Sequence, residues 1–255
     1  MEDNDVRPDY EPELAEPQTA PTKAQYSSMQ RLWMMFTAPG DVFSDIRIKP
    51  SWVLVMVVLV LLGVAVQTVI MPHVDTEMTI RARMEQRGTE LSEAQIENAI
   101  EQAEKFSKFG PIIGLVIAPV AWAIMAAIFF VMLKITGSDA DYKQTLSTIL
   151  HGYWPATVVQ LVLTAVLIQR IGKVPQDELA NVVKANVGAF MSADAPAWLT
   201  AALGAISIFN IWAVILLIMG FATVGKISKS KAAVVTLVPW GVWIAAKAGI
   251  AALFS

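Results

Sequence analysis

MQRLWMMFTAPGDVFSDIRIKP (residues 29–50) runs straight into SWVLVMVVLVLLGVAVQTVIM (residues 51–71), and these two pieces decide the class of fold. The second has 21 residues and no charge. A helix of about 20 apolar residues crosses a hydrocarbon core of about 30 Å, so this piece reads as a membrane span. The first piece is amphipathic. Met29, Leu32, Trp33 and Phe36 fall at i, i+3, i+4 and i+7, one face of a helix, with Gln30 and Arg31 off that face. Pro39 restarts a short helix on which Val42, Phe43 and Ile46 share a face, followed by Arg47 and Lys49. An apolar, aromatic side with basic residues at its flank suits a helix lying in the membrane interface. It suits equally a foot packed as core beneath the bundle. At this level both readings stand.

The rest of the chain continues in the same vein. Of 255 residues, 55% are hydrophobic and only 16% charged, and the mean hydropathy is +0.54. The apolar residues come in long blocks, which excludes an ordinary soluble domain and indicates an all-α polytopic membrane protein. Five spans are expected, at about 51–71, 111–133, 146–169, 198–221 and 232–254, so that residues 51–254 form one transmembrane domain. Trp52 and Trp198 open two of them, where indole rings favour the headgroup zone. Pro119 and Pro155 fall inside two others, which neighbouring helices in a membrane can accommodate. Residues 1–24 carry seven acidic residues and four prolines and are expected to be a disordered tail, not a signal peptide; residues 25–50 form the amphipathic foot. The net charge of −3 gives no reason to expect nucleic acid. The absence of cysteine rules out disulfides, thiol catalysis and thiolate metal sites.

The connections between spans differ in kind. KITGSDADYK (134–143) and KISKSK (226–231) are short. The segments after the first and third spans are long and helix-forming. In the first, Ser92 and Gln95 have capping-box spacing, Leu91 and Ile96 are placed as a staple, and Ile96, Ile100 and Ala103 make an apolar stripe. In the second, Pro175 is expected to open a helix carrying Leu179, Val182, Val183 and Phe190. Arg31, Arg47, Lys49, Lys226, Lys229 and Lys231 concentrate positive charge beside spans on one side. The positive-inside rule then puts the N-terminus in the cytoplasm and the C-terminus outside, in the inner membrane if the source is bacterial. A faint parallel repeat relates Trp122 and Lys134 to Trp212 and Lys226.

Polar residues inside spans need a reason. Gln67, Gln160, Asn210 and Lys247 are the candidates for an intramembrane polar site, and interhelical hydrogen bonding is the plainer alternative. Gly241, Ala245 and Gly249, four residues apart, mark a close-packing face within the bundle or between protomers. His151 begins HGYWP, where Gly152 and Pro155 suggest an irregular or kinked entry to the third span. The other histidine, His73, is placed at the opposite side, so no histidine metal pair is expected. Zinc-protease, nucleophile-elbow and phosphate-loop motifs are missing, and no cofactor is expected.

With foot and spans in place, the chain resembles the Yip-domain family (Ypt/Rab-interacting-protein type membrane proteins), in its bacterial branch, over about residues 29–254. The likeness rests on Leu32, Phe36, Pro39, Phe43 and Ile46, on Pro50 and Trp52 opening the first span, and on Gly152-Tyr153 before Pro155. The resemblance implies a non-enzymatic helical bundle with a cytoplasmic N-terminus. Eukaryotic relatives act through Rab GTPases and self-associate. Their acidic entry motif has no counterpart here, where Gly40-Asp41-Val42-Phe43 stands instead, so Rab binding is not carried over. The expected function is a membrane scaffold or adaptor. Its foot, with Leu32, Trp33, Phe36, Pro39, Phe43 and Ile46, and its inner loops would engage lipid or a protein partner, with homo-oligomerisation as a further expectation. The alternative is a small transporter or channel built on the four intramembrane polar residues.

Overall fold

A computed structural model describes residues 23–253 apart from 89, 108 and 193; the acidic tail expected at 1–24 lies almost wholly outside these residues. Ten α-helices and three short 3-10 turns make up the described chain. The helices are α1 (Ser28–Met34), α2 (Pro39–Ile48), α3 (Val53–Ile70), α4 (Thr76–Arg87) and α5 (Glu93–Ser107). They continue as α6 (Gly110–Ile135), α7 (Tyr142–Ile171), α8 (Ala197–Gly204), α9 (Ile208–Gly225) and α10 (Lys229–Leu253). Five segments are long and apolar enough to cross a membrane: Val53–His73, α6, α7, α9 and α10. Local chemistry sets many of the boundaries. Ser27 with Gln30 and Asp141 with Gln144 form capping boxes that start α1 and α7, and Pro39 occupies the first turn of α2, where its missing N–H costs nothing. Ser92 and Gln95 exchange the expected bonds, 2.9 Å and 3.4 Å, ahead of α5.

The foot is core along α2. α1 and α2 fold into an antiparallel helical hairpin, with α2 against α7 and α9. Val42, Phe43 and Ile46 have no exposed surface and Leu32 keeps 5%, whereas Trp33 is 72% exposed and Phe36 37%. The candidate foot residues therefore divide: Leu32, Phe43 and Ile46 point into the bundle, Pro39 is half-buried, and Trp33 and Phe36 point out. The hairpin reaches well up the bundle. Arg47 O accepts from Gln144 Nε2 (2.7 Å) near the start of α7, while Leu32 O accepts from Trp154 Nε1 (2.9 Å) ten residues, or about 15 Å of helix, further along. Phe36 meets Trp212 of α9 edge-on at 6.1 Å. The sequence allows this insertion at Gly220, where a methyl group would lie 2.8 Å from the Phe43 ring and 2.6 Å from Thr148. Only a residue without Cβ lets the ring lie against the α9 backbone.

Two expectations of regular helix give way. The fourth span, expected unbroken over 198–221, is interrupted at residues 205–207, between α8 and α9. Ser207 is extended and caps α9, accepting from Asn210 N at 3.1 Å. The long segment before α8 pairs with the break: Val187 N donates to Ile206 O (3.1 Å) and Ile208 N to Ala185 O (3.0 Å). Non-helical backbone at this depth is tolerated because protein covers and satisfies it. For the same reason the helix expected from Pro175 is two 3-10 turns, Gln176–Asn181 and Val187–Phe190, since residues 185–187 are committed to the break; Phe190 is 72% exposed. Of the irregular or kinked entry expected at His151, the irregular form is absent. α7 runs helical through Gly152 and Pro155, and Gly152 admits Leu217, which a methyl there would meet at 2.8 Å.

The bundle has two distinct ends. At one, the hairpin base and both short loops meet: Ser138 Oγ donates to Gly225 O (3.1 Å) and Lys231 Nζ to Thr136 O (3.1 Å). At the other, the two long segments clip together, Asp75 N donating to Val174 O and Val174 N to His73 O, each at 2.9 Å. Ile168, Val174 and Val182 pack beneath that clip. Arg81 bonds Glu77 (2.8 Å) and Glu93 (3.1 Å), tying α4 to α5, and these carboxylates, Glu77 foremost, raise its already high pKa.

Candidate functional site

The hairpin encloses a buried ionic knot. Arg31 retains 1% of its surface and Asp45 2%. Arg31 Nη2 lies 2.7 Å from Asp45 Oδ2 and Nε donates to the same oxygen at 2.9 Å. Nη1 donates to Lys49 O (2.8 Å) and to Ser51 Oγ. The other carboxylate oxygen accepts from Gln25 N at 2.6 Å, with Tyr26 N reaching Oδ2 at 3.3 Å. A carboxylate and guanidinium taken from water together are stable only with such full hydrogen bonding. The knot continues into α7, where Ser51 N donates to Ser147 Oγ (3.2 Å) and His151 Nδ1 sits 2.8 Å from Ser147 O. A carbonyl only accepts, so Nδ1 carries the proton. Thr145, Ser147, Thr148 and His151 are all buried, a polar stripe on α7 matched to the hairpin. Arg31, read from sequence as surface charge, is therefore an internal strut. The signal that could have revealed it is the pairing of Arg31 with Asp45 across a turn at Pro39.

Around the hairpin base the surface is basic. Lys49, Lys134, Lys143, Lys226, Lys229 and Lys231 are exposed there, with Asp139 and Asp141 as acidic residues among them. Lys134 also lies over the Phe130 ring at 5.4 Å and donates to Ser138 O at 3.2 Å.

The four polar span residues do not converge. Gln160 is exposed on α7, and Gln67 lies beside the start of α6, its Nε2 2.9 Å from where a Gly110 methyl would stand. Asn210 Nδ2 donates to Ala205 O (2.8 Å), closing the carbonyl left open by the α8–α9 break. Lys247 Nζ sits 5.0 Å from the Trp243 ring centroid. Of the four, only Asn210 lines the large cavity of the bundle, about 570 Å³ between α6, α7, α9 and α10. Gly241, Ala245 and Gly249 face outward, and a methyl on either glycine would meet nothing within 4 Å, so this stripe does not pack inside the bundle. No cluster of potential metal ligands occurs among the described residues.

No curated protein and no solved structure matches the chain. The family comparison does give a match, and it takes in the end of α1, all of α2 and the five long helices: residues 33–250 correspond to the Yip1 domain. The second helix of the foot, the two short loops and the five-helix bundle thus fall within one matched stretch, and the chain belongs to the Yip1-domain family.

Proposed function

We propose that this protein is a non-enzymatic membrane scaffold of the bacterial branch of its family, holding anionic lipid headgroups or acidic protein segments against its basic end. In this reading that end is cytoplasmic, with the N-terminus inside and the C-terminus outside, and the Gly241–Ala245–Gly249 stripe serves self-association. The observation that carries the proposal is the gathering of six exposed lysines around one end of the bundle, assembled from the foot and both short loops. Each such lysine adds about 1 kcal/mol of attraction to an anionic leaflet. The hairpin makes this end rigid, because the ionic knot and Phe43 fix the foot to α7 and α9. The transporter alternative loses ground because Gln67, Gln160 and Lys247 lie off the cavity that Asn210 lines.

The test is lipid retention. Purified in mild detergent with mixed phosphatidylethanolamine and phosphatidylglycerol, the protein should retain phosphatidylglycerol preferentially by native mass spectrometry. Replacing Lys226, Lys229 and Lys231 with Gln should lower that preference by about two orders of magnitude, at about 1 kcal/mol per residue. Unchanged retention in a folded triple variant would remove the basic end from the function.

A further inference from the structure

The cavity between α6, α7, α9 and α10 contains a hydrogen-bond donor that the bundle leaves unused. Trp240 Nε1 is buried and has no acceptor among the described residues. Elsewhere the lining is apolar or aromatic, with Phe129, Tyr153, Trp240 and Trp243 contributing rings and Asn210 and Thr236 contributing polar atoms. Thr236 spends its hydroxyl proton on Ala232 O (2.9 Å) and Asn210 spends one amide proton on Ala205 O. Ile124 and Ile128 both line the cavity and keep 58% and 50% of their surface, so its mouth opens sideways, toward the surrounding lipid.

Depth narrows the choice of occupant. Trp240 lies eleven residues into α10, about 16 Å along a helix that crosses a hydrocarbon layer of about 30 Å. That is near the middle of the layer. Glycerolipid ester carbonyls sit at the interface, so a bilayer lipid entering sideways offers only its acyl chain here. A chain fills volume and accepts no hydrogen bond. The complement of an unmet N–H among aromatic rings at this depth is a flat ring bearing carbonyl oxygens on an apolar tail. We propose that this cavity binds a lipid-soluble quinone, one ring carbonyl accepting from Trp240 Nε1 and the ring stacking offset on the neighbouring aromatics. The volume of about 570 Å³ lies within the usual range for small-molecule sites.

The experiment titrates the full-length protein in detergent with decylubiquinone and reads bound quinone by native mass spectrometry. One quinone per chain should bind saturably. Trp240→Phe keeps the ring and removes the donor, and should weaken binding about tenfold while leaving thermal stability equal or higher, since a buried N–H without a partner is lost. Ala121→Leu, which narrows the cavity wall, should abolish binding in a protein that still folds. Equal binding by wild type and Trp240→Phe would overturn the proposal. So would equal uptake of a saturated hydrocarbon of the same length, or binding unaffected by Ala121→Leu.

Discussion

The ionic knot makes the sharpest demand on the structure. Asp45→Asn keeps the size of the side chain and removes its charge, leaving the Arg31 guanidinium at 1% exposure without a counter-ion. Breaking a buried pair from one side costs about 3–5 kcal/mol. Here the cost falls on the hairpin, because both partners lie on it, fourteen residues apart, and their other bonds reach Lys49 O and Ser51 Oγ where α2 hands over to α3. At about 1.4 kcal/mol per decade, the open fraction of the hairpin should rise by about two to three and a half powers of ten. The chain has no cysteine, so a single Val42→Cys reporter, at a position with no exposed surface, reads opening directly through its maleimide labelling rate. Labelling should be slow with the knot intact and faster by that factor with Asp45→Asn. Adding Arg31→Met removes the stranded charge and should recover most of the protection. If Asp45→Asn labels no faster than its parent, apolar packing alone holds the hairpin and the reasoning fails.

Other consequences are equally direct. Gly220→Ala should destabilise the protein by about 1–3 kcal/mol through overpacking, since its methyl would meet Phe43 at 2.8 Å, and Phe43→Leu should restore part of the loss in thermal unfolding. Phe43→Ala should cost about 3–5 kcal/mol, whereas Trp33→Ala, at a position 72% exposed, should change stability by less than about 0.5 kcal/mol. Removing the cap of α9 with Ser207→Ala should cost about 1 kcal/mol and speed hydrogen exchange at Ile208 and Asn210. Single cysteines at Ser92 and Ser228 should label from outside and inside respectively; the reverse would invert the proposed orientation.

Long-range hydropathy carried the fold class. A span of Leu, Ile and Val is recognisable because its length must match a bilayer, and α3, α6, α7 and α10 each overlap their expected spans closely. The fourth span is present as Ile208–Gly225, but its start falls ten residues later than expected, for the opposite reason. Ser207 is one polar residue in an apolar window, too little to lower the mean, yet as a cap it restarts the helix. The partner that makes the break affordable, residues 185–187, lies twenty residues earlier in a segment that hydropathy assigns only to a loop. Trp240 was legible as a residue and not as a donor. Whether its N–H has an acceptor depends on what three other helices bring to it.

The foot shows where periodicity stops being informative. An apolar face at i, i+3, i+4 and i+7 says that one side of a helix avoids water; lipid and protein interior satisfy that condition equally. The polar side is what distinguishes them. On an interfacial helix, charges must stay in the headgroup layer, so they gather at one flank without partners. On an inserted hairpin, a charge can go inward if the returning strand of the hairpin supplies its opposite at the same height. Arg31 and Asp45 are seven residues before and after the turn at Ala38, so an antiparallel pair of helices sets them level. Arg47 and Lys49 have no such mirror partner, and they stay at the surface end. The symmetric spacing of opposite charges about a Pro-containing turn, rather than the amphipathic stripe, is therefore the feature that separates a foot buried in the bundle from one resting on the membrane.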